Sequence, residues 1–219
     1  MSNEELPVVT LLGAVAMVNG FALLSGVDLS LPPSSLTVLV GANGAGKTSL
    51  LRLLAGLIGL TTGEGTVLGI DLARGDRRLL RRHVGWLGHE GSFYDDLSVT
   101  ENLTFAAKAL ERPLDELGTV LERVGLSARR DTPAKQLSAG QRRRLGLAWL
   151  LLRRPELWLL DEPYASLDDA GRDFFDGLLG EVVARGASVV VSAHDPLRSE
   201  LLNPTTLTMA GGRIVGRAT

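Results

Sequence analysis

The stretch 36-LTVLVGANGAGKT-48 decides the fold of this 219-residue chain. Residues 36–40 form a continuous, mainly apolar run, which is typical of a strand that is covered on both faces in a parallel sheet. Residues 41–48 match the phosphate-loop pattern G-x-x-x-x-G-K-[ST], and a segment with helical periodicity follows directly. Because strand, glycine-rich loop and helix in this order are the context that the pattern requires, the stretch predicts an α/β fold with a phosphate-loop nucleotide site.

This loop supplies groups suited to a nucleoside triphosphate. Its glycines allow backbone N–H groups to turn inward around the β-phosphate, at the positive end of the helix dipole. Lys47 places a positive charge near the β- and γ-phosphates, and Thr48 places a hydroxyl group on Mg²⁺. The predicted nucleotide-binding residues of the loop are Gly41, Ala42, Asn43, Gly44, Ala45, Gly46, Lys47, Thr48 and Ser49.

Two further apolar runs, at 156–160 and 187–193, predict other strands of the same parallel sheet. Each run ends in polar residues, at the edge where such sheets bind ligands. The first run delivers Asp161 and then Glu162. A carboxylate on the magnesium side, followed by one that can act as general base on water, is the pair that nucleotide hydrolysis needs.

Helical periodicity marks five segments between and after these runs, and "LTMAGGRIVG" at the end predicts a small hairpin. The predicted helices are 47–58, 99–111, 114–124, 139–153 and 169–185. The segments predict a single domain whose core, about 1–89 and 154–219, carries a helical insertion at about 90–153.

Side chains on these helices have simple interpretations. Apolar residues at helical spacing indicate packing positions in the second and third segments, and the clearest are Leu114, Leu117, Leu121 and Val124. The arginine-rich segments 74–83 and 142–144 are typical of solvated helix faces.

The apolar stretch Val8–Val27 carries no charge over about the 20 residues that span a bilayer. However, the preceding "MSNEELP" is acidic, where a signal peptide has a positive segment. Asn19-Gly20, in the middle of the stretch, is the strongest short hairpin signal. We therefore expect two strands joined by a turn, and no insertion into the bilayer.

The composition excludes several classes of protein. Lys and Arg total 23 against 25 Asp and Glu, so the chain lacks the positive field that draws a protein onto nucleic acid. We expect no nucleic-acid partner. Cysteine is absent, which excludes disulfides and thiolate metal sites and is compatible with a reducing cytosol.

Three more motifs follow the phosphate loop in order: "LSAGQ" at 137–141, "YASLD" at 164–168, and His194 in "VSAHDP". Together with the phosphate loop and Asp161-Glu162 they resemble the ATP-binding-cassette family over essentially the whole chain, as its signature, D-loop and switch histidine. The resemblance implies a phosphate-loop NTPase with a RecA-like core, an N-terminal antiparallel β subdomain and an inserted α-helical subdomain. It also implies an ATPase that uses ATP and Mg²⁺.

In that family two cassettes pair head to tail, and each ATP lies between one subunit's phosphate loop and the other's signature motif. The resemblance therefore implies a homodimer, or pairing with a second cassette. It assigns to the partner's nucleotide the signature residues Ser138, Ala139, Gly140 and Gln141. It further implies that Glu162 polarises the attacking water, His194 contacts the γ-phosphate, and Asp168 couples the two sites.

The sequence departs from the family pattern where adenine binds. Cassettes usually stack an aromatic ring on the base from the N-terminal hairpin, and Phe21 is the one aromatic residue near that place. Either Phe21 takes this role or apolar contacts alone hold the adenine.

A second departure is His89, in "WLGHEGSFYDDLSVTENL" at 86–103. The family normally has glutamine here, eight residues before Leu97. A neutral imidazole can ligate a metal or orient a water, although its nitrogen suits magnesium less well than an amide oxygen. His89 is thus a candidate catalytic and metal-ligating residue, or else a histidine merely tolerated in a surface loop.

Glycine followed by histidine at this place is characteristic of one branch of the family, the ATP-binding subunit of the haem exporter of cytochrome c maturation. That resemblance implies a peripheral ATPase on the cytoplasmic face of the inner membrane. It implies docking on a CcmB-like membrane subunit, with CcmC-like or CcmD-like proteins, and no haem on this chain.

Alternatives remain within the family. Cassettes of DNA repair and translation need a long coiled-coil insertion or two cassettes in one chain, and 219 residues contain neither. An adaptor of iron-sulfur cluster assembly typically has Gly-Glu-Lys-Lys character where this chain has Gly140 to Arg143. A multidrug or other small-molecule exporter ATPase differs mainly by glutamine in place of His89.

Overall fold

A computed structural model describes residues 6–88, 93–165, 167–194 and 203–218 of the chain. The strands are β1 (Val9–Val18), β2 (Phe21–Leu31), β3 (Leu36–Val40), β4 (Thr62–Val67), β5 (Ile70–Asp71), β6 (Val84–Leu87), β7 (Leu157–Asp161), β8 (Ser188–Ser192), β9 (Thr205–Ala210) and β10 (Arg213–Ala218). The helices are α1 (Lys47–Leu54), α2 (Arg77–His83), α3 (Val99–Ala109), α4 (Glu116–Arg123), α5 (Ala139–Arg153) and α6 (Asp169–Ala184). Two 3-10 helices cover Ser127–Arg129 and Ala134–Gln136.

The central sheet has the strand order β10-β9-β3-β8-β7-β6. Strands β9, β3, β8, β7 and β6 are parallel, and β10 returns antiparallel to β9. All five residues of β3, β7 and β8 are buried, which confirms the prediction from their continuous apolar runs. Parallel strands place their carboxyl ends at one edge, so the phosphate loop, Asp161 and Ser192 meet there.

Each face of this sheet packs into a different apolar cluster, because side chains alternate along a strand. In β7, Leu157 and Leu159 pack with α1 and the antiparallel strands. Trp158 and Leu160 pack on the other face, with α5 and α6. A leucine buried in this way contributes about 1.5–3 kcal/mol to stability, so the alternation fixes which layer each helix covers.

The second sheet is antiparallel, in the order β2-β1-β4-β5. Asn19 and Gly20 connect β1 to β2 with positive φ angles of 51° and 82°, the backbone of a tight hairpin turn. The apolar stretch 8–27 is therefore a hairpin, as predicted from Asn19-Gly20. Among the helices of the described ranges, none combines the length and hydrophobicity needed to cross a bilayer.

Helices fill the chain between β6 and β7 within the described residues. Ser98 and Ser138 each begin a helix with a reciprocal capping box, α3 with Glu101 and α5 with Gln141. The mixed α/β architecture confirms the predicted fold class. The residue bounds of the core and of the helical insertion stay a prediction.

Some sequence-based predictions were wrong in detail. Leu117, Leu121 and Val124 are buried as predicted, but Leu114 is 48% exposed because α4 begins only at Glu116. Helix α1 ends at Leu54, before the predicted residue 58, because Gly56 follows with a left-handed φ of 66°.

Strands β4, β5 and β6 were not predicted, whereas α2 falls within the segment 74–83 that was interpreted as a solvated helix face. Strand β6 has only four residues, and its Gly85 leaves room for a neighbour rather than adding an apolar side chain. A Cβ atom at Gly85 would lie 2.5 Å from Cγ of Pro155. This close approach is invisible in a pattern of apolar residues.

One buried polar side chain, Asn102 of α3, organises the loop that enters this helix. Its Nδ2 donates to the carbonyl oxygens of Tyr94, Leu97 and Ser98 at 3.0–3.1 Å. Its Oδ1 accepts from the Tyr94 N–H at 2.9 Å. Asn102 has no exposed surface, so these four bonds replace all of its contact with water.

We expect Asn102→Leu to lower the free energy of unfolding by about 1–3 kcal/mol, because it removes the buried amide that pairs with the Tyr94 N–H and three backbone carbonyls. The midpoint and slope of urea unfolding measure this loss. Lys108→Ala, at an exposed position of the same helix, is the control and should change stability by less than about 0.5 kcal/mol. Equal stability of the two variants would contradict the role given to Asn102.

Candidate active site

The phosphate loop lies between β3 and α1, as its motif predicts, and other strands support it from behind. A Cβ atom at Gly41 would lie 2.3 Å from the carbonyl oxygen of Met209 in β9, so only glycine fits. The N–H of Gly212 donates to the Ala45 carbonyl at 2.9 Å, and the Gly212 carbonyl accepts from the Ser25 N–H at 2.9 Å. The turn between β9 and β10 thus joins β2 to the phosphate loop.

Lys47 is the buried charge of this loop, with 5% of its surface exposed. Its Nζ donates to the carbonyl oxygens of Gly41 at 2.6 Å and of Ala42 at 3.2 Å. Both acceptors are neutral groups of the same loop. Because no carboxylate hydrogen-bonds the ammonium group in the described residues, its charge suits a phosphate oxygen at the exposed loop tip, Ala42 to Gly44.

A chain of hydrogen bonds crosses the carboxyl edge of the sheet from α1 to β8. The Thr48 hydroxyl donates to Asp161, with its Oγ1 2.9 Å from Oδ2. Ser192 Oγ donates to Asp161 Oδ1 at 2.6 Å and accepts from the Glu162 N–H at 2.9 Å. Ser192 has no exposed surface and was missed by the sequence analysis, since a serine within an apolar run carries no distinctive signal.

Glu162 and His194 form the second part of the site. Their side chains approach to 3.3 Å between Oε1 and Nε2, and both remain accessible, at 29% and 54% exposed. Glu162 has a φ of 48°, a left-handed conformation that is uncommon outside glycine. The strand ends of β7 and β8 hold the pair, so the structure brings together two residues that the sequence analysis proposed separately.

The arginines of α5 contradict their interpretation as a solvated face. Arg142 donates to Asp95 at 2.8 Å and to the Ala134 carbonyl at 2.9 Å. Arg144 donates to the Val124 carbonyl at 3.0 Å, and its guanidinium carbon lies 4.7 Å from the Phe174 ring centroid.

Arg143 reaches the carboxyl edge of the central sheet. It donates to the carbonyl oxygens of Gly88 at 2.9 Å and Glu162 at 3.1 Å. Burial lowers the pKa of the Arg143 guanidinium, while the nearby carboxylates of Asp161 and Glu162 raise it. These long-range bonds to carbonyl oxygens leave no trace in the sequence, which is why Arg143 was missed.

The signature residues begin α5, a helix of 15 residues. Ser138 Oγ accepts from the Gln141 N–H at 3.3 Å, and Gln141 Oε1 accepts from the Ser138 N–H at 3.0 Å. Ser138 and Ala139 are exposed, and Gly140 is half-buried. In the described residues, no hydrogen bond joins these residues to the phosphate loop.

Three further residues were predicted to belong to the site: Asp168, Phe21 and His89. Asp168 caps α6, with Oδ1 accepting from the Gly171 N–H at 2.8 Å. Phe21 begins β2 beyond the hairpin turn and is 75% exposed. His89 lies outside the described residues, directly after Gly88. No cluster of three or more His, Cys, Asp or Glu side chains suited to a metal occurs in the described ranges.

A groove lies beside Gly88, between β6 and α5. Its lining includes Trp86, Phe93, Trp149 and Arg153. The buried donors Trp149 Nε1 and Arg153 Nε have no hydrogen-bond partner in the described part of the chain.

Comparison with known proteins agrees with this architecture. Residues 24–165 match the family model described as ABC transporter. A solved "ATP binding subunit of ABC transporter" superimposes with a TM-score of 0.86 at 22% identity, over 97% of this chain and 90% of that one. The cbiO1 protein from Clostridium perfringens gives a TM-score of 0.82 at 24% identity, over 98% and 89%. At such identities these likenesses show the fold alone.

Curated relatives are more similar in sequence. The cytochrome c biogenesis ATP-binding export protein CcmA 2 of Cupriavidus metallidurans is 45% identical over 181 residues, 82% of this chain and 85% of the relative. The CcmA protein of Bradyrhizobium diazoefficiens is 44% identical over 176 residues, 80% of this chain and 86% of the relative. The chain therefore belongs to the ABC transporter family, in the branch of cytochrome c biogenesis ATP-binding export proteins called CcmA, and it is an ATPase.

Proposed function

We propose that the chain hydrolyses ATP to drive a membrane exporter of cytochrome c maturation whose cargo is haem. One observation carries the proposal: a complete set of hydrolytic groups, from Lys47 to the Glu162–His194 pair at 3.3 Å, in a chain 45% identical to a CcmA protein. The working assembly is a head-to-tail homodimer, or a pair with a second cassette, on the cytoplasmic face of the inner membrane.

The phosphate loop binds the nucleotide, and oxygen donors beside it hold Mg²⁺. The Thr48 hydroxyl and the Asp161 carboxylate lie 2.9 Å apart, and hydroxyl and carboxylate oxygens are ligands that Mg²⁺ prefers. When bound, Mg²⁺ would supply positive charge to the β- and γ-phosphate oxygens. Lys47 supplies the protein's own positive charge, and the exposed Phe21 ring is available to the adenine.

Glu162 accepts a proton from the attacking water. A general base must lie within hydrogen-bond reach of the proton that it abstracts. His194 contacts the γ-phosphate and holds the Glu162 carboxylate in place. The signature residues Ser138, Ala139, Gly140 and Gln141 bind the nucleotide of the partner cassette. Ser138 is suited to this, because its hydroxyl accepts the capping bond and keeps its proton for donation to a phosphate oxygen. Asp168 couples the two sites from the start of α6.

Glu162→Gln should bind ATP normally, hydrolyse it at less than about a hundredth of the normal rate, and accumulate an ATP-bound dimer. The amide keeps the shape of the side chain but cannot accept the proton. Phosphate release measures turnover, and gel filtration with ATP measures the dimer. Glu156→Gln is the matched control, since Glu156 lies at the opposite end of β7 and pairs with His83. Normal turnover by Glu162→Gln would remove Glu162 from the role of base.

The choice of haem rests on the CcmA relatives and on Gly88-His89, so it needs a test in cells. A bacterium lacking its own CcmA should recover c-type cytochromes with covalent haem when it expresses this chain, and should not recover them with Glu162→Gln. Haem-staining gels measure the recovery. A chain that hydrolyses ATP normally yet restores no cytochrome would instead favour another small-molecule exporter or an iron-sulfur assembly role.

The contact with the membrane subunit, CcmB-like and accompanied by CcmC-like or CcmD-like proteins, falls beside Gly88. Support comes from the groove there, which Trp86, Trp149 and Arg153 help to line, since tryptophan and arginine are side chains that often anchor protein interfaces. His89 follows Gly88 directly in the sequence, and we assign to it the coupling between the membrane subunit and ATP hydrolysis. Haem itself binds elsewhere in the assembly.

We expect His89→Ala to lower the ATP hydrolysis stimulated by the membrane subunit more than it lowers basal ATP affinity. Trp149→Ala, which removes an aromatic side chain from the lining of the groove, should act in the same direction. Equal losses of stimulation and affinity in His89→Ala would contradict a coupling role.

A further inference from the structure

Arg143 connects three parts of the chain through one guanidinium group. It lies in the second turn of α5, the helix that the signature residues begin. Its Nη1 donates to the carbonyl of Gly88, just beyond β6, and its Nη2 donates to the carbonyl of Glu162, just beyond β7. A displacement of α5 therefore acts on the ends of both strands.

We propose that Arg143 is a positioning residue that holds the backbone of Glu162 and makes the rate of hydrolysis depend on the position of α5. The inference rests on the proposed role of Glu162 as general base. It assigns to Arg143 no contact with ATP or with the attacking water.

The backbone of Glu162 needs such support. A left-handed φ of 48° is strained for a side-chain-bearing residue and persists only when surrounding groups fix it. On one side the Glu162 N–H donates to Ser192, 2.9 Å from Oγ. On the other side its carbonyl accepts from the Ala165 N–H at 3.1 Å and from Arg143. Arg143 is the one of these partners that lies on the inserted helices.

The guanidinium group suits this position better than an ammonium group. Its planar fork reaches two carbonyl oxygens at once, whereas the point charge of lysine on a flexible stem does not hold both in fixed geometry. The bonds go to neutral carbonyls, so the Glu162 carboxylate stays available for water.

The neighbouring arginines supply matched controls. Arg142 and Arg144 lie on the same helix and are also partly buried. Arg142 bonds Asp95 and Ala134, and Arg144 bonds Val124 and covers Phe174. Neither contacts Gly88 or Glu162 through a hydrogen bond in the described residues.

The experiment compares Arg143→Lys and Arg143→Gln with Arg142→Lys and Arg144→Lys in the complete chain. Both Arg143 variants should lower kcat for ATP about tenfold or more, because small misplacement of a catalytic group is enough for such a loss, and leave KM within about twofold. The two control variants should keep kcat within about threefold. Rates are divided by the number of ATP-binding sites titrated in each sample, so unfolded protein does not count as lost catalysis.

A second comparison places the effect on Glu162. In a Glu162→Gln background, Arg143→Lys should lower the residual rate no further, since residues that act as a unit are not additive. Three results would each overturn the inference. The first is a loss of kcat that is explained by the loss of binding sites, and the second is an equal loss of kcat in the control variants. The third is full additivity of Arg143→Lys with Glu162→Gln. Normal turnover by Glu162→Gln alone would instead refute the role of Glu162, which the Arg143 single variants do not test.

Discussion

The burial of one ammonium group, that of Lys47, is the constraint on which the rest of the site depends. A buried charge is costly unless polar groups compensate it. Here the compensation comes from the carbonyls of Gly41 and Ala42, which point at Nζ only because the loop curls around it. That curl needs a glycine pressed against β9, a strand buried beneath and a helix beginning at Lys47 itself. Loop, sheet and helix are therefore fixed together.

At the same edge of the sheet, several polar groups bond to a single carboxylate. Asp161 accepts from Thr48 of α1 and from Ser192 of β8, so three elements meet on one carboxylate. Ser192 then holds the backbone of Glu162 through Oγ. The backbone of Glu162 is thus linked to Thr48 through three hydrogen bonds, to Asp161 through two and to Ser192 through one.

Local patterns predicted the parts of this protein whose causes are local. The buried runs of β3 and β8, the Asn19-Gly20 turn and the extent of α5 each follow from a few adjacent residues, and the structure agrees. Residues whose role depends on distant partners were not predicted. Ser192 matters because Asp161 lies on the next strand, and Arg143 because two strand ends lie beneath its helix. The short strand β6 was not predicted for the same reason. The close approach of Pro155, and not the sequence of the strand itself, explains the glycine at position 85.

Because the turn at Gly212 supports the phosphate loop, the nucleotide site depends on a part of the chain that is synthesised much later than the loop itself. The carbonyl of Ala45 and the N–H that it accepts are separated by most of the described chain. A ribosome adds about 5–20 residues per second, so the phosphate loop emerges about ten seconds or longer before β9 and the turn that back it. During that interval β9 does not yet pack behind Gly41 of the glycine-rich loop. The nascent chain thus carries its nucleotide motif early but acquires the rigid form of that motif late, which delays tight ATP binding until the central sheet is assembled.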